Sequence, residues 1–439
     1  MDILNGNVRK VYLRYLAAAF GSTLISSIYG IVDMAMVGQY HGPDGSAALA
    51  VFAPFWNIIY SFGLLAGIGG SVLFSNIRGQ GEGNIRKSNE YFTAAMIFGG
   101  LLTAIAWLAI LLFHDPLLRL FGADEQLLPL AKRYLGPIQW TVPFFIFTQI
   151  LAAFLRNDGA PGLATAAVLA GGVFNVFGDW FFVFVLDMGI SGAGLATGIG
   201  AVISLLVTLP HFLTRKNTLR LVMPGSFIRK MLRILLTGFP TCITDIAMGI
   251  LTVLFNRQIM TRLGADALAV YGIIVNISTF VQCCAYSVGQ AAQPIFSLNF
   301  GARKPQRIRQ CLACALYTCA AFGLFWTGLS LAVPNLYVHI FMTPTPQVLA
   351  IAPPIIRAYS LSFLLLPLNV FSTYYFQAVM QPKISFLISV ARGFAISGSL
   401  ILLLPAVAGA DSVWYAMLIT EVLVAVYVLI QIKRSSKSL

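Results

Sequence analysis

The sequence has very little charge. Of its 439 residues only 10% are Asp, Glu, Lys or Arg, whereas 58% are hydrophobic, and the mean hydropathy is +0.84. A soluble domain of this length needs far more polar surface, so the composition excludes a soluble globular protein. A bilayer core about 30 Å thick takes roughly 20 apolar residues per helix, which leaves room for on the order of a dozen spans. The sequence therefore predicts an integral membrane protein with little chain left for an extramembrane domain.

Motifs for ATP use and for catalysis are also absent. There is no GxxxxGK[ST] phosphate loop and no HExxH zinc motif, so the sequence shows neither an ATP-hydrolysing site of the phosphate-loop type nor a metalloprotease centre. The six cysteines lie in or beside apolar runs of the second half, and Cys311 and Cys314 form a lone CxxC without a second pair. We therefore predict reduced cysteines, no cofactor, no structural metal and no enzymatic activity.

Polar breaks divide the apolar sequence into twelve candidate membrane spans. The longest break, TRKNTLRLVMPGSFIRKMLR at 214–233, follows the sixth span. It divides the chain into an N-terminal six-helix bundle at 1–213, a cytoplasmic linker at 214–233 and a C-terminal six-helix bundle at 234–439. The predicted spans are 13–37, 47–75, 91–113, 134–155, 161–186, 190–213, 234–260, 267–297, 311–333, 348–379, 384–407 and 412–432.

The basic residues indicate which side of the membrane each loop faces. Lys and Arg accumulate in cytoplasmic loops, and with twelve spans nearly all of them fall on one side, including Arg9, Lys10, the linker cluster, Lys433 and Arg434. The same side receives Arg392. Both termini are therefore predicted to be cytoplasmic. The net charge of +13 is then explained by the basic residues of the cytoplasmic loops. We therefore expect a lipid bilayer around the chain and no nucleic-acid partner.

The two halves of the sequence resemble each other. GSAALAVFAPFWN starting at Gly45 aligns with GADALAVYGIIVN starting at Gly264, and each is followed by a basic loop. Each half has an even number of spans and begins inside, so the repeats have the same orientation, related by an axis along the membrane normal. The predicted fold is all-α: twelve transmembrane helices in two six-helix bundles related by a pseudo-twofold along the membrane normal, as suits a transporter with a central cavity.

Four acidic residues lie inside predicted spans: Asp33, Asp179, Asp245 and Glu421. An ionisable residue in a span is costly and indicates a functional site unless a local partner explains it. For Asp245 and Glu421 both interpretations stay open. Asp33 and Asp179 are predicted at similar depth in the outer half of the membrane, and a structural contact there could use neutral Asn at lower cost.

Neutral polar residues surround this acid pair. Asn175 and Asp179 are four apart and so share a helix face, Thr197 returns to the same depth on the sixth span, and Tyr29 lies one turn before Asp33. Two carboxylates, an amide oxygen and a hydroxyl form an oxygen-rich pocket suited to Na⁺. Without a cation, two carboxylates in a low dielectric would instead hold a proton. The alternative is a set of ordinary interhelical hydrogen bonds.

Two stretches carry a family resemblance. YGIVDMAMVGQYHG on the first span and GQAAQPIFSLNFGARK at the end of the eighth resemble multidrug and toxic compound extrusion (MATE) transporters, in particular their prokaryotic DinF-like and staphylococcal multidrug-exporter-like branches. The resemblance covers nearly the whole chain and implies the twelve-helix MATE fold. It also implies a cation site at Asp33, Asn175, Asp179 and Thr197, with Tyr29 beside it and Gln149 near a fourth-span amide position.

The sequence also departs from patterns in this family. It has no proline before Pro43, so a proline-based switch in the first span is not expected. MATE transporters outside the DinF-like branch use acidic residues in the C-terminal bundle, on the seventh and tenth spans. The tenth span of this sequence offers Asn369 and Thr373 but no carboxylate. Asp245, Asn369 and Glu421 therefore stay further candidates for a cavity or coupling role.

The predicted function is a secondary antiporter that exports amphipathic, often cationic organic compounds in exchange for H⁺ or Na⁺. We expect it in the inner membrane of a bacterium or archaeon, contributing to multidrug efflux and antibiotic resistance, with no oligomer required. The alternative is a lipid-linked oligosaccharide flippase of the same superfamily. Its anionic phosphate substrate would call for basic residues within the spans, and nearly every Lys and Arg is assigned to a loop.

Overall fold

The computed structural model describes residues 3–341 and 345–438, except for the side chains of residues 43, 82, 437 and 438. Residues 1, 2, 342–344 and 439, which the predicted domains include, lie outside this part. Every regular element within the described residues is a helix, which confirms the predicted all-α class.

The predicted membrane spans are confirmed. Eleven described helices are long and apolar enough to cross a bilayer, and a bent pair brings the number to twelve. A short helix, Pro334–Phe341, follows the ninth span. In order, the spans are Val8–Gly42, Asp44–Gly79, Ile85–Leu120, the pair Leu128–Ile138 and Val142–Asn157, Pro161–Val185, Ile190–Leu213, Phe227–Arg262, Ala265–Gly301, Pro305–Ala332, Pro346–Ala378, Pro382–Val407 and Ala410–Ser436.

The fourth span differs from the single helix predicted at 134–155. Its two helices, Leu128–Ile138 and Val142–Asn157, meet at an angle of 58°. Pro137 lies at the end of the first and Pro143 at the start of the second. Because a proline lacks the N–H for a helical hydrogen bond and its ring clashes with the preceding turn, two prolines six residues apart break the helix between them.

The chain forms two compact units. The first includes the chain from Ala17 to Cys242, and the second combines Gly6–Leu16 with the chain from Ile243 onward. Each has its own core of buried apolar side chains, with Phe52 and Phe154 fully buried in the first and Phe255 and Phe363 in the second.

The polar segment after the sixth span packs along the first unit. The amide of Asn89 donates to the carbonyl of Thr218 (3.1 Å) and accepts from the N–H of Arg220 (3.0 Å). The buried carboxylate of Asp158 accepts hydrogen bonds from His211 Nε2 (2.7 Å) and from the N–H and hydroxyl of Thr218. Hydrogen bonds therefore hold the linker against the ends of the third, fourth and sixth spans.

Candidate functional site

The fifth and sixth spans pack at glycines. A Cβ on Gly171 would lie 2.5 Å from the carbonyl oxygen of Gly200, and one on Gly200 would lie 2.8 Å from that of Gly171. Only residues without a side chain allow the two backbones to approach this closely. Since Asn175 lies one turn after Gly171 and Thr197 lies one turn before Gly200, this contact sets the two polar side chains face to face.

The predicted group on these spans is brought together. Asn175 Nδ2 donates to Thr197 Oγ1 (3.0 Å) and, at the long limit of 3.5 Å, to Asp179 Oδ1. Thr197 in turn donates to the carbonyl of Ala193 (2.9 Å). Asp179 is fully buried, and it ends the α-helical part of the fifth span, which continues as a π-helix at Trp180–Val185. Such π turns are frequent at functional sites.

Asp33 is held by a residue that the sequence analysis missed. The hydroxyl of Tyr134 donates to Asp33 Oδ2 (2.7 Å), and Asp33 is 6% exposed. The Tyr134 ring packs edge-to-face on Phe52, with 5.2 Å between centroids, which fixes the direction of its hydroxyl. Because Tyr134 lies before the break in the fourth span, its orientation depends on a bend that hydropathy alone does not indicate.

The site is rich in acceptors that lack donors. Asp33 Oδ1, Asp179 Oδ2 and Asn175 Oδ1 are buried and have no hydrogen-bond partner among the described residues. The Asp33 carboxylate is close enough to act electrostatically on Asp179. Burying unpaired carboxylates is expensive, and a bound cation or a proton would offset that cost. The arrangement is therefore suited to taking up a small cation or a proton.

A cavity with several polar side chains in its lining adjoins this group. It has a volume of about 50 Å³, and its lining includes Tyr29, Gln149, Asn175 and Thr197. A cavity needs roughly 10–15 Å³ to hold one water molecule, so this one is large enough for water. Two of the predicted neighbours, Tyr29 and Gln149, therefore line a cavity that Asn175 and Thr197 also line.

The candidates in the second unit have local partners. Glu421 accepts from Arg392 Nε (2.8 Å) and from Asn369 Nδ2 (2.6 Å), and it is fully buried. Asp245 accepts from the hydroxyl of Tyr286 (2.8 Å), while its Oδ2 lacks a partner in the described part of the chain. Glu421 and Asn369 thus belong to one buried hydrogen-bond network with Arg392, whereas Asp245 has one carboxylate oxygen without a partner among the described residues.

Arg392, which the topology assigns to the cytoplasmic side, lies inside the eleventh candidate span. Arg392 is 7% exposed and lies in a π-helical turn at Ala391–Ala395 of the eleventh span. It follows Pro382, the first residue of that span, by ten residues, or about 15 Å along the helix at 1.5 Å per residue. Its buried ion pair with Glu421 explains how a guanidinium is tolerated inside an apolar span.

Within the described residues, no group of three or more His, Cys, Asp or Glu could hold a metal ion. A Na⁺ site at Asp33 and Asp179 would therefore need oxygens from Asn175 or Thr197 as well.

Comparisons with known proteins identify the family. The family model MatE matches residues 18–181 and 240–397, more than half of the chain. The chain belongs to the MatE family. Multidrug export protein MepA of Staphylococcus aureus (strain MSSA476) is 25% identical over 425 residues, covering 95% of this chain and 92% of that protein. MepA of Staphylococcus saprophyticus is 26% identical over 299 residues, covering 67% of this chain and 65% of that protein.

A solved structure gives the same fold. An outward-facing multidrug resistance MATE family transporter of the MOP superfamily superposes with a TM-score of 0.91 at 18% identity, covering 99% of this chain and 97% of that one. The predicted MATE fold is thus confirmed. As a member of the MatE family, the chain is a multi-pass membrane transporter and not an enzyme.

Proposed function

We propose that this MatE-family chain exports amphipathic, often cationic organic compounds and couples that export to the entry of H⁺ or Na⁺. The names of the MepA relatives support multidrug export as the activity. The observation that carries the coupling proposal is the group of unpartnered buried oxygens on Asp33, Asn175 and Asp179. We further propose a cytoplasmic (inner) membrane location with both termini in the cytoplasm.

Coupling requires that the ion and the substrate favour different states of the transporter. Asn175, Asp179 and Thr197 lie on two spans locked together at glycines, whereas Asp33 comes from the first span. A Na⁺ between the two carboxylates, or a proton on one of them, cancels one of the two negative charges, which removes most of their repulsion and draws Asp33 toward Asp179. Loss of the ion would let the first span move away, and substrate affinity would change with that movement.

The flippase alternative calls for a basic group inside the spans that could bind a phosphate. Arg392 is such a group by position, but its Nε already donates to Glu421 at 2.8 Å. An ion pair that is 8% and 0% exposed leaves little free positive charge for an anionic substrate. The antiporter proposal is therefore preferred.

The test is efflux of a fluorescent cationic dye from proteoliposomes, with a Na⁺ or a pH gradient imposed separately. We expect the wild type to export under one of the gradients. Asp33→Asn and Asp179→Asn should still bind dye but lose gradient-driven export by at least about tenfold, while Asp411→Asn, an exposed acid outside the pocket, serves as a control and should export normally. Normal export by both pocket variants would refute the proposal.

A further inference from the structure

The outer end of the first span is tied to the loop between the fifth and sixth spans. The hydroxyl of Tyr40 donates to the Asp187 carboxylate. The backbone N–H of Ile190 donates to His41 Nε2 (3.0 Å). Between them, Gly189 has a φ of 56°, and a Cβ there would lie 2.6 Å from His41 Nε2 and 2.9 Å from the Tyr40 ring. The side chains of Tyr40 and His41 therefore pack directly against the backbone of the loop at Gly189.

The hydrogen bond to His41 fixes the protonation state of the imidazole. A backbone N–H can only donate, so His41 Nε2 must carry a lone pair and the ring must be neutral, with its proton on Nδ1. The N–H of Ile190 is one of the first in the sixth helix, and such groups have no partner within the helix. A protonated ring would set an N–H against an N–H, and the contact would open.

The contact also bears on the position of Asp33. Asp33 and Tyr40 are seven residues apart, two turns along the same face of the first span. That face contacts Tyr134 at the level of Asp33 and the 186–190 loop at the level of Tyr40 and His41. The loop directly follows the π-helix that begins after Asp179. Holding the end of the first span on this loop thus fixes the depth and rotation at which Asp33 faces its partners.

From these contacts we propose that Tyr40 and His41 are positioning residues, which hold Asp33 in the coupling pocket only while His41 is neutral. The proposal rests on the proposed function for the role of the pocket and for the outward orientation of this end. Unperturbed histidine changes charge near pH 6.5. Among the described residues, the titratable groups next to the ring are Tyr40 and, on the fourth span, Arg133, while Asp187 accepts the hydrogen bond of Tyr40.

The test is amide hydrogen exchange of the 186–192 segment in the purified full-length protein at pH 5 and pH 8. His41→Gln carries an amide oxygen that accepts a hydrogen bond but does not titrate, so wild type and variant are compared at the same pH. We expect equal exchange at pH 8 and about fivefold faster exchange of the wild type at pH 5. His41→Ala should exchange fast at both values, and His114→Gln should match the wild type.

Equal exchange of wild type and His41→Gln at both pH values would overturn the proposal, as would slow exchange of His41→Ala at pH 8. These readouts need no transport and so do not depend on whether the pocket couples export. In proteoliposomes, the ratio of wild-type to His41→Gln export should fall as the external pH is lowered from 8 to 5. A ratio independent of pH would show that the contact is only structural.

Discussion

The buried ion pair of the second unit gives a prediction whose size follows from the structure. Arg392 and Glu421 are 2.8 Å apart and almost fully buried. Glu421→Gln removes the negative charge and leaves the guanidinium buried without a counter-ion, which costs about 3–5 kcal/mol. The double variant Arg392→Met with Glu421→Leu removes both charges, and Asn369 still donates to the main-chain carbonyl of residue 421 (2.9 Å). It should lose only one hydrogen bond, about 1 kcal/mol.

The assay is the free energy of unfolding of the purified protein in mixed micelles, from a denaturant titration of each variant. We expect the double variant to be more stable than Glu421→Gln and to retain ion-driven dye export in proteoliposomes. A double variant less stable than the single one would refute the reasoning about the uncompensated charge. Loss of export in a stable double variant would show that the pair takes part in transport.

Three further predictions follow from the first unit. Gly171→Ala should force the fifth and sixth spans apart and cost about 1–3 kcal/mol, whereas Gly162→Ala on the same helix, where a Cβ meets nothing within 4 Å, should be neutral in the same unfolding titration. Tyr134→Phe removes the hydroxyl that donates to Asp33 and should shift the ion concentration for half-maximal export about fivefold; an unchanged value would mean that this bond does not tune the pocket. Asp158→Ala should release the linker after the sixth span and speed its cleavage by trypsin. A cleavage rate equal to that of the wild type would show that the hydrogen bonds of Asp158 do not hold the linker in place.

Much of the fold could be predicted because a bilayer imposes simple lengths. Apolar runs of about 20 residues gave the twelve spans, and the four-residue spacing of Asn175 and Asp179 placed both on one helix face. Thr197 joined them because a returning span passes through the same depth. Span length, helix face and depth all follow from the number of residues between two positions, so they can be predicted from the sequence pattern.

Other features depend on contacts between distant residues and could not be read from spacing. Tyr134 reaches Asp33 only because two prolines bend the fourth span. The ion pair of Arg392 with Glu421 could not be predicted because the two residues are 29 apart in the chain, and a rule that counts basic residues in loops does not test for a buried pair. The sequence predicts a cytoplasmic linker at 214–233, but its spacing does not indicate that Asp158 and Asn89 hold this segment on the first unit through hydrogen bonds.

The central claim is that substrate binding expels the ion held between Asp33 and Asp179. The most direct measurement is ion release on addition of a cationic dye to the purified protein, followed with a pH indicator in weak buffer and with radioactive Na⁺ in parallel. The account predicts that the wild type releases one of the two ions and that Asp33→Asn and Asp179→Asn bind dye without releasing it. Release from both variants equal to that of the wild type would contradict the claim.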